Sequence, residues 1–372
     1  MSRIPFMDLI ADYADIRDDI DAAIRRVIDS GHFILGPDVG ELEREIADYL
    51  GLGHAAGVAS GTDALVLALR ALDIGPGDEV IVPAFTFFAT AEAVMLVGAT
   101  PVFADVLPST YLIDPEEVER RITDLTKAVI PVHLYGHPAD MDALMSLASK
   151  HALAVIEDAA QAMGAEWKGN KVGAIGTAGC LSFFPSKNLG GFGDGGMVVS
   201  DDQRLVERVK MLRTHGWRKK YDPEIIGYNS RLDTIQAAIL RPKLRHLDRW
   251  NDARRERASR YVELLGSIDG LRPPVEVDGA RHVYHVYVVA CERRDNVQEH
   301  LRTSEIGTGV YYPIPLHLTA PCSHLPYGEG DFPVAEQACR ETLAIPLFPT
   351  MTQPQMERVA ECIGDAMAVV RS

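Results

Sequence analysis

The sequence predicts an α/β protein with a mostly parallel central sheet flanked by helices and a smaller C-terminal α/β domain. Three observations carry that expectation. Short apolar runs alternate with helical patterns over residues 55–200, as strand–helix–strand units do. Polar and glycine-rich segments follow those runs, at the strand ends where such sheets hold their sites. The 372 residues suffice for two domains, and the long helical segment Thr234–Trp250 holds Pro242, which should kink it. That kink is the expected hinge, dividing the chain into residues 1–245 and 246–372.

The elements follow in order. Ile16–Ser30 has apolar residues at helical spacing (Ile16, Ile20, Ala23, Ile24, Val27) and stops at Gly31. The loop Gly31–Pro37 is apolar between its Gly and Pro ends, which suits either a core-plugging turn or an active-site flap. Glu41–Leu50 is a second helix, stopped by Gly51. Ala55–Ala59 reads as a strand entering Ser60-Gly-Thr-Asp63 and the helix Ala64–Leu72. Glu79–Pro83, Thr100–Ala104 and Ala128–Leu134 read as strands, with helices at Ala91–Val97 and Pro115–Ile122. Ala152–Ile156 is a strand delivering Glu157 and Asp158 at its end. Beyond the helix Gln203–Thr214, Tyr221–Ile226 is loop. In the last third, His285–Ala290 and Thr308–Tyr312 read as strands, and Asp295–Ser304, Pro333–Thr342 and Gln355–Val369 as helices.

The chemistry centres on Lys187. It follows the apolar run Leu181–Phe184, read as a buried strand, and precedes the glycines of Gly190–Gly196. A lysine held against desolvated apolar surface loses proton affinity and becomes an amine nucleophile, and pyridoxal phosphate is the cofactor that needs one. That cofactor also needs an anion seat and a carboxylate for its ring nitrogen. Ser60-Gly-Thr-Asp63 opens a helix, where free N–H groups and the positive dipole end favour phosphate, although Ser60 or Thr62 could serve as a simple cap. Asp158, at the end of a buried strand, needs a partner, and a pyridinium N–H would be one. The aromatics after Pro83 are core or a stacking face for a planar ring. His133 and His137 are separated by Gly136 and followed by Pro138, complete no metal pattern, and read as loop histidines.

Composition narrows the partners. A net charge of −16 repels phosphate polymers, so nucleic acid is not expected. No run of 18 apolar residues predicts a membrane span. The opening residues show no signal-peptide core, and the five cysteines, unpaired in spacing, suit a reducing, cytoplasmic setting.

With these pieces placed, the chain resembles the sugar aminotransferases of the DegT/DnrJ/EryC1/StrS family, fold-type I pyridoxal-phosphate enzymes. The likeness runs nearly end to end through Gly36-Pro37, Ser60-Gly-Thr-Asp63, Pro83-Ala-Phe-Thr-Phe87, Glu157-Asp-Ala-Ala-Gln161, Ser182-Phe-Phe-Pro-Ser-Lys187, Gly193-Asp-Gly-Gly196, Asn229-Ser-Arg-Leu-Asp233 and Tyr312-Pro-Ile-Pro-Leu-His317. The resemblance implies that Lys187 is the catalytic lysine joined to the cofactor. Asp158 would meet the ring nitrogen and Gln161 lie near the ring hydroxyl. Gly61, Thr62 and Ser182 would hold the phosphate, and Phe87 would stack on the ring. Asn229 would reach the neighbouring subunit's cofactor, which implies a homodimer with shared active sites. Arg231, Tyr312 and His317 fall where the family contacts substrate, a nucleotide sugar, with an amino acid such as L-glutamate as donor. Asn229-Ser-Arg-Leu-Asp233 resembles the branch that aminates C-3 of a keto sugar. Amination at C-4 is the alternative. Lysine at 187 counts against the family's dehydratase branch, where histidine stands, and the intact constellation counts against a non-catalytic relative.

Overall fold

Apolar strands can bury both faces only where helices cover them, and the computed structural model, which describes residues 3–371, is layered in that way. The helices α1 (Arg17–Ser30) and α2 (Pro37–Leu50) come first, each ended by a left-handed glycine. Next, β1 (His54–Val58) leads into α3 (Gly61–Ala71), β2 (Glu79–Pro83) into α4 (Ala89–Leu96), β3 (Thr100–Ala104) into α5 (Pro115–Arg121), and β4 (Thr126–Val129) towards α6 (Met141–His151). After β5 (Ala154–Asp158) come the short β6 (Glu166–Trp167) and β7 (Asn170–Lys171), then β8 (Ala178–Ser182) and β9 (Gly196–Ser200). α7 (Gln203–Leu212), β10 (Trp217–Lys219) and β11 (Asp222–Pro223) precede α8 (Thr234–Leu244) and α9 (Leu247–Leu265). The chain closes with β12 (Ala280–Arg281), β13 (Tyr287–Ala290), α10 (Arg294–Thr303), α11 (Pro333–Glu341), β14 (Thr342–Ile345) and α12 (Gln353–Arg371).

Seven strands form the main sheet in the order β1-β9-β8-β5-β4-β2-β3. β2 pairs in parallel with β3 and β4, β4 with β5, and β5 with β8. β9 runs antiparallel between β8 and β1. Because these strands are parallel, the carboxyl ends of β2, β4, β5 and β8 open on one edge, where α3 also begins. A second core gathers Tyr261 and Leu265 of α9, Tyr287 and Val289 of β13, Leu343 and Ile345 of β14, and Val359 and Ile363 of α12. Its membership crosses sequence order: Ile4 belongs to it, whereas Val286, Leu316 and Phe332 pack into the core of the main sheet. Among the described residues no helix is long and apolar enough to cross a membrane.

Several elements differ from the sequence expectation. The strand expected over Ala128–Leu134 ends at Val129, because Pro131 has no N–H for a ladder; only Val132 bridges onward, to Asp158. Thr308–Tyr312 is not a strand. Gly309 alone exchanges hydrogen bonds with Ala344, while the Tyr311 carbonyl is taken by the Tyr135 hydroxyl. Thr234–Trp250 is two helices, broken at Arg245-His246, with Pro242 inside the first. Tyr221–Ile226, expected as loop, contains β11. The loop after Gly31 is not a core plug, since Phe33, Ile34 and Leu35 are 48, 48 and 41 % exposed.

Candidate active site

The turn after β8 carries Lys187. Its backbone N–H donates to the Phe184 carbonyl at 2.9 Å, and β9 returns at once to pair Gly196 with Ser182. The lysine is therefore fixed at the base of a hairpin. Burial of its amine holds its pKa down to about 8, and the charge of Asp158 partly offsets that effect. Asp158 ends β5, one strand away. Its carboxylate accepts from the Thr90 hydroxyl at 2.9 Å and from the Ala160 N–H at 3.2 Å. Burial raises its pKa, while those two donors and Lys187 work the other way. An amine of lowered basicity and a carboxylate short of partners thus share one desolvated space.

Glu157, the next side chain along β5, points to the opposite face and is wholly buried. It accepts from the amides of Gly173, Ile175 and Gly176 and from the ring of His133, at 2.6–2.9 Å. Ala139 N–H donates to the other His133 nitrogen at 3.0 Å, which leaves the ring proton on the Glu157 side. His133 and His137, read from sequence as loop residues, do lie outside the helices and strands, and both are buried, at 0 and 3 % exposed. His133 ties the end of β5 down, through Glu157 and through its own N–H to the Asp158 carbonyl, whereas His137 holds the loop at Val277.

The start of α3 presents the kind of free amides that an anion takes. Ser60 does cap the helix, accepting from the Asp63 N–H at 3.1 Å. The amides of Gly61 and Thr62 are left without an acceptor among the described residues. A Cβ on Gly61 would stand 2.8 Å from the Ser182 Cβ, so only glycine lets this helix end meet β8. The Ser182 hydroxyl is thereby brought beside those free amides. Capping occupies Ser60 and leaves the Gly61 and Thr62 amides open to an anion.

A cavity of about 450 Å³ joins these parts, within the usual range for small-molecule sites of roughly 300–1,000 Å³. Of the residues expected from sequence, Gly61, Thr62, Phe87, Asp158, Gln161, Ser182, Lys187 and Tyr312 all line it. Phe87 is 55 % exposed, its ring 5.8 Å from that of Tyr312. Gln161 is locked between two tyrosines: its carbonyl accepts from the Tyr135 N–H at 2.7 Å, and its amide donates to the Tyr312 hydroxyl at 3.0 Å.

Three expected residues do not line the cavity. His317 is buried elsewhere, its Nε2 3.2 Å from Glu336 and its ring against Phe332. Asn229 is exposed and Arg231 half-buried on a segment pinned by Ser230, whose hydroxyl accepts from Ala59 N–H at 3.2 Å and donates to the Asp63 carboxylate. The sequence reading missed Thr90, since nothing local ties it to Asp158. It also missed His285, a buried cavity residue whose Nδ1 has no partner among the described residues and whose pKa burial pushes well below the usual histidine value. Together the lining offers free amides for an anion, an exposed aromatic face, a buried carboxylate and a nucleophilic amine. That set suits a planar, phosphate-bearing ring with a carbonyl to be captured.

The profile of the DegT/DnrJ/EryC1/StrS aminotransferase family matches residues 14–364. The chain is 48% identical to the dTDP-3-amino-3,4,6-trideoxy-alpha-D-glucose transaminase of Streptomyces venezuelae, over 98% of this chain and 96% of that one. It is 49% identical to the UDP-N-acetyl-3-dehydro-alpha-D-glucosamine 3-aminotransferase of Acidithiobacillus ferrooxidans, over 97% of each. Among solved structures, S. venezuelae DesV in complex with a ketimine intermediate superposes with a TM-score of 0.96 at 47% identity, covering 99% of both chains.

Proposed function

The chain belongs to the DegT/DnrJ/EryC1/StrS aminotransferase family, and from that premise we propose that it aminates C-3 of a nucleotide-linked 3-keto hexose with L-glutamate as donor. Its cofactor is pyridoxal phosphate. One observation of the site carries the reaction type: an amine with a pKa near 8 and a buried carboxylate face one cavity at the mouth of an anion seat. The support for C-3 is the Asn229-Ser-Arg-Leu-Asp233 segment together with relatives named for 3-amino sugars.

The residues present fit this cofactor. Gly61, Thr62 and Ser182 would take its phosphate, Asp158 its ring nitrogen, Phe87 its face and Lys187 its aldehyde carbon, with Gln161 towards the ring hydroxyl. When bound, the group supplies an electron-withdrawing ring that spreads negative charge from the carbon being deprotonated. The chain's own residues do the rest. The Lys187 amine, titrating near neutrality, can both take and give a proton at Nζ. The Asp158 charge, fixed by Thr90 and Ala160, stabilises a positive N–H beside it. The hydrogen bonds of Gln161 hold Tyr312 towards the substrate side.

The same reading takes the protein as a cytoplasmic homodimer divided near residue 245. The exposed apolar side chains Phe33, Ile34 and Leu35, with Phe184 and Phe192, suit a surface covered by a second copy, and Asn229 and Arg231 lie outside their own cavity, free to serve the partner's. Sedimentation equilibrium tests the dimer; a monomer at micromolar concentration would remove it. The function is tested by product regiochemistry. With glutamate and paired 3-keto and 4-keto nucleotide sugars, we expect the amine on C-3, located by NMR. Amination of the 4-keto sugar alone would overturn the position and keep the aminotransferase.

A further inference from the structure

The turn that carries Lys187 takes several of its hydrogen bonds from the two helices behind it. Gln236 of α8 accepts from the Phe192 N–H at 2.8 Å, and Lys243 Nζ, facing the rings of Tyr13 and Phe192, donates to the Gly190 carbonyl. Next to Lys187 itself stands Asn188, 7 % exposed. Its side-chain amide donates to Asn251 Oδ1 of α9 at 2.7 Å and to the Val283 carbonyl at 3.2 Å. Asn251, 1 % exposed, donates in turn to the Met163 carbonyl at 3.0 Å. That approach is close: Gly164 has φ +88°, and a Cβ there would stand 2.6 Å from Asn251 Nδ2. Two carboxamides thus gather three stretches of chain, and each stretch carries a cavity residue within two positions. Lys187 precedes Asn188, Gln161 lies two before Met163, and His285 lies two after Val283. One turn along α9, Arg254 reaches the Leu347 carbonyl at 3.0 Å and the His285 carbonyl at 3.5 Å, which ties the third stretch to the same helix. Asn188 Oδ1 is buried with no partner among the described residues. The side chain is therefore retained for what it donates, against the cost of an unmet acceptor.

We propose that Asn188 is a positioning residue for the reaction: clamped by Asn251 and the Val283 carbonyl, it holds the turn so that the Lys187 amine stays in the water-poor part of the cavity, in register with Gln161 and His285. This rests on Lys187 as the reacting amine, the reading given above. The amine hangs on a flexible four-carbon stem, so its hydration depends on where the turn sits. Alanine at 188 would lose both donated bonds together. The oxygens left bare on Asn251 and Val283 would draw water in behind the turn, and a hydrated lysine regains its basicity. The titratable groups that share the cavity are Asp158, Asp194, His285, Tyr311 and Tyr312. None of them is bonded to either carboxamide. Only Asp158 bears on the basicity of Lys187; moving the amine away from it would act in the opposite direction to hydration, and burial is the larger effect.

The test begins with the cofactor-free protein, by following with pH the lysine ε-carbon NMR signal that Lys187→Ala removes. Wild type should titrate near about 8. In Asn188→Ala we expect the midpoint at least about one pH unit higher, towards the ordinary lysine value. Asn251→Ala should give a similar rise, and the double variant no more than the larger single one, because all three break one linkage. In the holoenzyme each variant should lose kcat by about 10–100-fold while KM for the nucleotide sugar stays within about threefold. Thermal melting checks folding, and should one variant not fold, the other is read in its place. A folded variant that melts lower yet keeps the wild-type midpoint and kcat makes the pair a packing device and overturns the proposal. So do fully additive rises in the double variant. If wild type neither binds pyridoxal phosphate nor turns over, the reading of Lys187 as the reacting amine falls, and the clamp is judged on the midpoint alone.

Discussion

Lys187→Ala is expected to abolish turnover while leaving the fold at least as stable. On the proposed reading this amine captures the carbonyl and carries the proton, and among the described residues no other lysine lines the cavity to replace it. Residual activity above roughly one part in 10³, measured under single-turnover conditions, would contradict the role of an activated nucleophile. The stability half of the expectation follows from linkage. In the folded, cofactor-free protein this amine titrates near about 8, below its ordinary 10.5. Between those values the unfolded chain binds more protons than the folded one, so wild-type stability rises with pH across that window. Below pH 8 the folded protein carries the full cost of a desolvated ammonium, which alanine removes. Cofactor-free Lys187→Ala should therefore melt no lower than wild type at pH 7, and lose any advantage as the pH passes 10. Melting well below wild type at pH 7 would instead make Lys187 a structural residue.

Asp158→Asn is expected to slow turnover by roughly 10²–10⁴-fold, the scale of a positioned acid–base partner. Asparagine has nearly the same shape and can still engage Thr90 and the Ala160 N–H, so the substitution removes charge with little loss of packing. Burial already pushes the Asp158 carboxyl towards its neutral form, with Thr90, Ala160 and Lys187 opposing that push. A positive N–H beside it would stabilise the carboxylate further, and the amide cannot return that interaction. The discriminating companion is Thr90→Val, which keeps the charge and removes one of its donors. It should cost far less than Asp158→Asn. Equal losses would mean that the geometry at this strand end matters more than its charge. Asp158→Asn within a few-fold of wild type would require another carboxylate for the ring.

The parts of the site that local sequence could announce are those built from a strand end and its next few residues. Lys187 stands between an apolar run and a glycine cluster, Asp158 ends an apolar strand, and Gly61-Thr62 open a helix; each pattern has its physical reason within ten residues. Thr90 acquires its meaning only when the sheet brings α4 across to β5. His285 likewise matters only because its backbone N–H is held by Tyr135. His317 has the spacing of a substrate contact, yet Phe103, Phe332 and Glu336 surround its ring. In the fold, β9 was hidden by the glycines that precede it, although all five of its residues are buried. α6 had visible signals, Asp140 as a cap and Met141, Leu144 and Ala148 at helical spacing, which the expected strands around it overshadowed. The break at Arg245-His246 falls three residues beyond Pro242, where the proline alone would have suggested a bend.

The antiparallel pairing of β9 with β8 bears on the order in which the site is assembled. Lys187 lies in a hairpin whose two strands are close in sequence, from Ser182↔Gly196 to Gly179↔Val199. Closing so short a loop costs little chain entropy. The anion seat, by contrast, exists only once Gly61 meets Ser182 from far upstream, and such distant contacts form late. The nucleophile's turn should therefore be native before the seat is, and a partly folded chain should hold that turn with its amine still solvated and with no grip on phosphate. Pulse-labelled hydrogen exchange during refolding would register this as protection of β8 and β9 ahead of the α3 amides. Simultaneous protection would mean that the two halves of the site fold as one unit.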